Sequence, residues 1–202
     1  METIYEPVFI TGAANTVAQS IVWFTLNGAS SGEQVKTDCV AYALCNHVAV
    51  ASVPAKQVLF TLRSQQLEDR INAVCHVQHK EDCAYILSAG DTGFVSIWKI
   101  TFNATLQALE QEFMHCLASE GKSLSSICAI EQNGRLSVVA ADTVGSLFLW
   151  ECDLAGATWQ LTRTLRFPTA QMPNSLAIHR LTPFANLLVV GSVDSRVHMY
   201  VQ

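Results

Sequence analysis

Six histidines, seven cysteines and seventeen acidic residues supply the side chains from which a metal centre or a nucleophilic site could be built. Their spacing argues against both. The cysteines at 39, 45, 75, 83, 116, 128 and 152 are odd in number and include no C-x-x-C pair. They therefore suit neither a zinc ribbon nor a disulfide framework, and read as reduced residues of a core. His76 and His79 could share a metal on a helix, but they close a predicted strand, where an odd offset sends two side chains to opposite faces. No histidine is framed by a catalytic motif, and no glycine-rich loop opens a helix to cradle phosphate. The expectation is a protein with no catalytic, cofactor-binding or metal-binding residues.

The residues that do recur are arranged as a repeat. Ser88-Ala-Gly-Asp91-Thr-Gly-Phe-Val95-Ser-Ile97-Trp98, Ala140-Ala-Asp142-Thr-Val-Gly-Ser-Leu147-Phe-Leu149-Trp150 and Gly191-Ser-Val-Asp194-Ser-Arg-Val197-His-Met199-Tyr200 match one another. Their terminal aromatics, Trp98, Trp150 and Tyr200, stand 52 and 50 residues apart. A fainter copy, Tyr42-Ala-Leu-Cys-Asn46-His-Val48-Ala-Val50, lacks both the aspartate and the aromatic.

Each copy reads as small residues, an aspartate-led turn, and alternating apolar residues ending in an aromatic. Small residues let backbones approach, an aspartate accepts hydrogen bonds from turn N–H groups, and period-two alternation buries one strand face. Asp91, Asp142 and Asp194 are expected to shape turns from equivalent positions, and Trp98, Trp150 and Tyr200 to anchor the core.

A strand precedes each pair and another follows. In the clearest unit the predicted strands are 71–77, 84–90, 94–100 and about 108–118; in the next they are 124–130, 136–141, 146–152 and 159–167. Four short strands per period with no helix between them describe a propeller blade. The predicted fold is all-β, an incomplete β-propeller of about four blades of four antiparallel strands. Its units are roughly 1–36 (partial), 37–67, 68–121, 122–168 and 169–202 (partial).

Composition narrows the surroundings. Only 14% of residues are charged and the formal net charge is -5, so the surface is not the basic face that grips a phosphate backbone, and little or no direct nucleic-acid binding is expected. No Lys or Arg precedes Lys36, and the most apolar stretch, 39–53, is too short to span a bilayer as a helix. These features point to the cytoplasm and nucleus, with no direct membrane contact. Arg63, Arg70, Arg163 and Arg166 fall near predicted outer strands or blade connections, where they would be solvated edge charges or partner salt bridges.

The repeated units resemble WD repeats, with Trp98 and Trp150 in the place of the repeat's Trp and Tyr200 as a substitute. The Gly-His dipeptide that usually opens such a unit is missing: the corresponding stretches read Gln65-Gln-Leu-Glu-Asp-Arg70 and Ser119-Glu-Gly-Lys-Ser123. The order of the atypical units is similar to the N-terminal blades of the Elongator subunit 2 family. Phe9-Ile-Thr-Gly-Ala-Ala-Asn15 leads to a strand ending near Trp23; the Asn46 hairpin, Val58–Leu62, Arg70–Val74 and the Asp91 unit follow, and Val197-His-Met-Tyr200-Val closes the chain. That family is a longer two-propeller subunit. The resemblance implies a non-catalytic scaffold that joins the large scaffold subunit and the radical-SAM acetyltransferase subunit in the complex installing carboxymethyl-type groups on wobble uridine of tRNA. A WD adaptor of a ubiquitin-ligase or chromatin-associated complex is the second reading. A propeller enzyme or metal binder, the third, would need polar residues converging on the central channel.

Overall fold

The computed structural model describes residues 19–30, 33–63, 69–120, 122–156, 158–166, 173–182, 185–193 and 195–201. Phe9–Asn15 and Asp194, singled out above, lie outside the described residues.

Fifteen strands follow one another: β1 (Ile21–Ser30), β2 (Glu33–Leu44), β3 (His47–Ser52), β4 (Gln57–Arg63), β5 (Ile71–Lys80), β6 (Cys83–Gly90), β7 (Phe94–Asn103), β8 (Ala108–Ala118), β9 (Leu124–Gln132), β10 (Arg135–Asp142), β11 (Ser146–Asp153), β12 (Thr158–Arg166), β13 (Pro173–Thr182), β14 (Ala185–Ser192) and β15 (Val197–Val201). They form four antiparallel meanders, β1–β4, β5–β8, β9–β12 and the three-stranded β13–β15, arranged as the blades of a propeller. The first strands of successive blades, β1, β5, β9 and β13, pack side by side at the centre. The strands expected in the second and third blades are present with the same order and nearly the same ends. The first blade runs from β1 to β4, so a unit boundary at residue 36 cuts through β2; the divergent sequence there hid a complete meander.

Burial explains the sequence pattern. Every residue of β6 is buried, because both faces of the second blade are covered. Ala84 and Ile86 pack with Trp98 and Ile100 against Phe24, Leu26 and Val48 of the first blade. Tyr85, Leu87 and Ala89 turn the other way, onto Leu136, Val138 and Trp150 of the third. A strand buried on both faces needs no polar alternation, hence the run Cys83-Ala-Tyr-Ile-Leu. The outer strands β8 and β12 meet water along most of their length and carry Glu110, Glu112, Arg163 and Arg166.

Trp98 and Trp150 hold matching places. Both are 3% exposed, both face the preceding blade, and each sits at a register shift against its outer strand, between Ile97 and Trp98 and between Leu149 and Trp150. The same shift falls between Val50 and Ala51 in the first blade. Ala51, not Val50, is therefore the first blade's counterpart of the tryptophan. Tyr200 sits opposite Leu188 and packs on the third blade.

The apolar residues left in water include a group on the outward face of each end blade. Ile21 and Trp23 of β1 are 49% and 51% exposed, and Val197, Met199 and Val201 of β15 are 66%, 69% and 68% exposed. Neither face packs against a further blade among the described residues.

Candidate functional site

The centre of the propeller is built around one polar side chain. Gln19, just before β1, has a positive φ of 61° and accepts the Val74 N–H of β5 through its backbone oxygen at 2.7 Å. Its Nε2 donates to the Leu176 carbonyl of β13 at 3.1 Å, and its Oε1 accepts the Ile127 N–H of β9 at 3.3 Å. One residue thus ties the first blade to the other three. The channel beside it, about 290 Å³, is lined by Ile21, Val22, Val74, Cys75, His76 and Cys128 among others, with no carboxylate among the described residues of its wall.

Burial sets the chemistry of the channel's titratable groups. It pushes the Cys75 thiol up to about 12 and the Cys128 thiol well above its ordinary value, and lowers the His76 imidazole. A thiol so shifted carries too little thiolate for nucleophilic work near neutrality. None of the seven cysteines is disulfide-bonded, and Cys45 alone is exposed. We expect iodoacetamide at pH 8 to label Cys45 in the native chain and to spare Cys75, whose thiolate fraction is about 10⁴-fold below unity, until the chain is unfolded; mass mapping of the labelled peptides reads this directly.

His76 and His79 are separated by the strand that carries both. The His76 ring lies 6.1 Å from Phe24 of the first blade, and the His79 ring 5.5 Å from Tyr85, with Glu131 of the third blade at 3.9 Å. No group of three or more His, Cys, Asp or Glu that could hold a metal occurs among the described residues.

The turn aspartates do not share one position, contrary to the equivalence expected from their motifs. Counting back from the aromatic, Asp142 stands eight residues before Trp150, Asp91 seven before Trp98 and Asp194 six before Tyr200. Asp142 acts as a turn carboxylate: its Oδ1 accepts Val144 N–H at 2.9 Å and Ser146 N–H at 2.7 Å. In the second blade the same position is Gly90, and a Cβ there would lie 2.2 Å from Oδ1 of Asp69. Asp69, 2% exposed, fills that space from the preceding loop, and its Oδ1 accepts the Thr92 N–H at 2.8 Å. Burial is the main reason its carboxyl sits above the usual range, with the Asp91 charge adding and the Thr92 hydrogen bond opposing.

Asp91 is released for another task. Its Oδ1 accepts Asn72 Nδ2 at 2.6 Å and the Ser123 hydroxyl at 3.0 Å, and Asn72 also donates to the Leu124 carbonyl at 2.9 Å. This clasp joins the second blade to the third. Sequence reasoning missed Asp69 because its carboxylate takes the place of a side chain at position 90, 21 residues further on, where the chain has glycine.

Of the four arginines noted above, Arg63, Arg163 and Arg166 lie on outer strands β4 and β12, and Arg70 immediately precedes β5. Arg163 stands at an apolar cavity of about 310 Å³ between the third and fourth blades, with Leu147, Leu149, Leu165, Leu188 and Tyr200 in its wall.

Meandering blades, inward-facing tryptophans at a constant bulge and carboxylate-held turns define a β-propeller segment built from WD-like units. The chain is similar to Elongator complex protein 2 of Danio rerio, with 29% identity over 173 residues. The match covers 81% of this chain and 19% of that protein, so the chain spans about a fifth of the relative's length. No protein-family model matches the chain.

Proposed function

We propose that this chain is a non-catalytic scaffold segment of the Elongator complex, holding other subunits, among them the large scaffold subunit and the acetyltransferase subunit, while they modify wobble uridine in tRNA. The similarity to Elongator complex protein 2 over 81% of the chain carries this reading. The fold supports it: stacked propeller blades present broad surfaces on which other proteins dock. The uncovered apolar faces of the end blades are of the kind that mark assembly. With a net charge of -5, the segment contacts tRNA weakly and the work falls to its partners. On this reading it acts in cytoplasm and nucleus. Deleting the protein that carries this segment should deplete carboxymethyl-type groups at wobble uridine, as read by mass analysis of tRNA nucleosides; unchanged modification would leave a WD scaffold of another complex.

A further inference from the structure

We propose that the outer edge of β15 pairs with β15 of a second copy of this chain, joining two fourth blades into one continuous sheet. In the first three blades the third strand is covered by a fourth, β4, β8 or β12; in the last, β15 ends the sheet among the described residues.

The direction of the backbone groups makes this edge ready to pair. The Ser192 N–H donates to the Arg196 carbonyl at 3.0 Å, which sets the phase of the β14–β15 ladder. Backbone groups alternate sides along a strand, so His198 and Tyr200 bond to β14, while Val197, Met199 and Val201 direct their N–H and C=O groups outward. Composition leaves the edge unguarded. The outer strands of the other blades carry the charges that blunt an edge: Arg63 on β4, Glu110 and Glu112 on β8, Arg163 and Arg166 on β12. Val197–Val201 contains no Lys, Arg, Asp, Glu or Pro, and no register shift interrupts its ladder. It has the make-up of an interior strand, yet it stands at an edge with Val197, Met199 and Val201 exposed.

The order of its residues names the partner. Val-His-Met-Tyr-Val reads nearly the same in both directions, so an antiparallel two-fold axis through Met199 matches like with like. Met199 meets the partner's Met199, Val197 the partner's Val201, and His198 the partner's Tyr200. The outward-directed positions then form hydrogen-bonded pairs that exchange about six N–H···O bonds. The apolar pairs share one face of the new ladder and the ring pairs the other, which is the cross-strand matching that stabilises sheets. The two copies of Arg196 fall at opposite ends, so no like charges meet.

Sedimentation velocity of the 202-residue chain tests this. The chain should dimerise with a Kd below about 10 µM. Met199→Pro removes an outward N–H and leaves the β14 ladder its bonds, and Met199→Lys sets two ammonium groups against each other across the axis. Each should weaken the dimer at least about tenfold while keeping the circular dichroism of the unaltered chain. In a Cys45→Ser background, oxidised Met199→Cys should give a disulfide-linked dimer, because Cα atoms of such a pair lie about 5.5 Å apart, within disulfide reach; Val193→Cys, outside the ladder, should not. A chain that is monomeric at about 100 µM overturns the proposal and leaves this edge to a strand of another sequence. So does a dimer that Met199→Lys leaves intact or that Met199→Cys fails to cross-link.

Discussion

Replacing Trp150 with alanine is expected to destabilise the chain by about 3–5 kcal/mol, the cost of removing a buried tryptophan from a core. The indole is 3% exposed and stacked on Phe148 at 5.7 Å. It belongs to the largest apolar cluster, which joins the second blade to the third through Tyr85, Leu87, Ile97 and Val138. The pocket cannot collapse easily, because the flanking strands are fixed by ladder hydrogen bonds on both sides. For a chain of this size, each kcal/mol is worth about 2–4 °C of Tm, so a loss of about 10 °C should appear in a thermal melt. Tyr200→Ala should cost less, since that ring is only half-buried at the last interface. A Trp150→Ala change below about 1 kcal/mol would mean that the repeat aromatics are not core anchors.

Substituting Gly28 with valine is expected to be comparably damaging for the opposite reason. A Cβ at this β1 position would lie 1.9 Å from Cδ1 and 2.1 Å from Cε1 of Phe102, so the ring of the second blade rests directly on the glycine backbone of the first. Phe102 is itself buried, 7% exposed, and cannot swing away without uncovering that contact. Overpacking of this kind costs about 1–3 kcal/mol for a single added group and more for a branched one. A double-mutant cycle separates the mechanism from general strand disruption: adding Phe102→Ala should recover part of the loss, giving a coupling of about 1–2 kcal/mol. Strict additivity in urea melts would show that Gly28 and Phe102 do not meet.

Much of this architecture is legible in the amino-acid order, because a blade writes its period into turn residues and aromatics. The second and third blades are covered on both faces, so their strands carry dense apolar runs with clear turn residues between them, and Trp98 and Trp150 mark the same bulge. The first blade was harder to read. Its counterpart of the tryptophan is Ala51, and its hairpin turns at Cys45 and Asn46 with Cys45 at a φ of 51°, so neither the aspartate nor the aromatic is there to find.

The aspartates show where pattern-matching fails. A shift of one residue between Asp91 and Asp142 shows in the sequence only when counted back from the aromatic, yet it turns a turn carboxylate into an interblade clasp and hands the turn to Asp69. The central role of Gln19 had no sequence signature. It arises from four strands converging around one left-handed residue, a long-range consequence that local spacing does not encode.

The central claim is that this propeller segment works by holding the other subunits of the Elongator complex. It is tested most directly by affinity purification of the tagged full-length protein, alongside a Trp150→Ala form that weakens the segment. The unaltered protein should co-purify with the large scaffold and acetyltransferase subunits in stoichiometric amounts, and the Trp150→Ala form should lose them in proportion to its loss of folded segment. Recovery of the protein without either subunit, under conditions where the complex itself stays intact, would contradict the account.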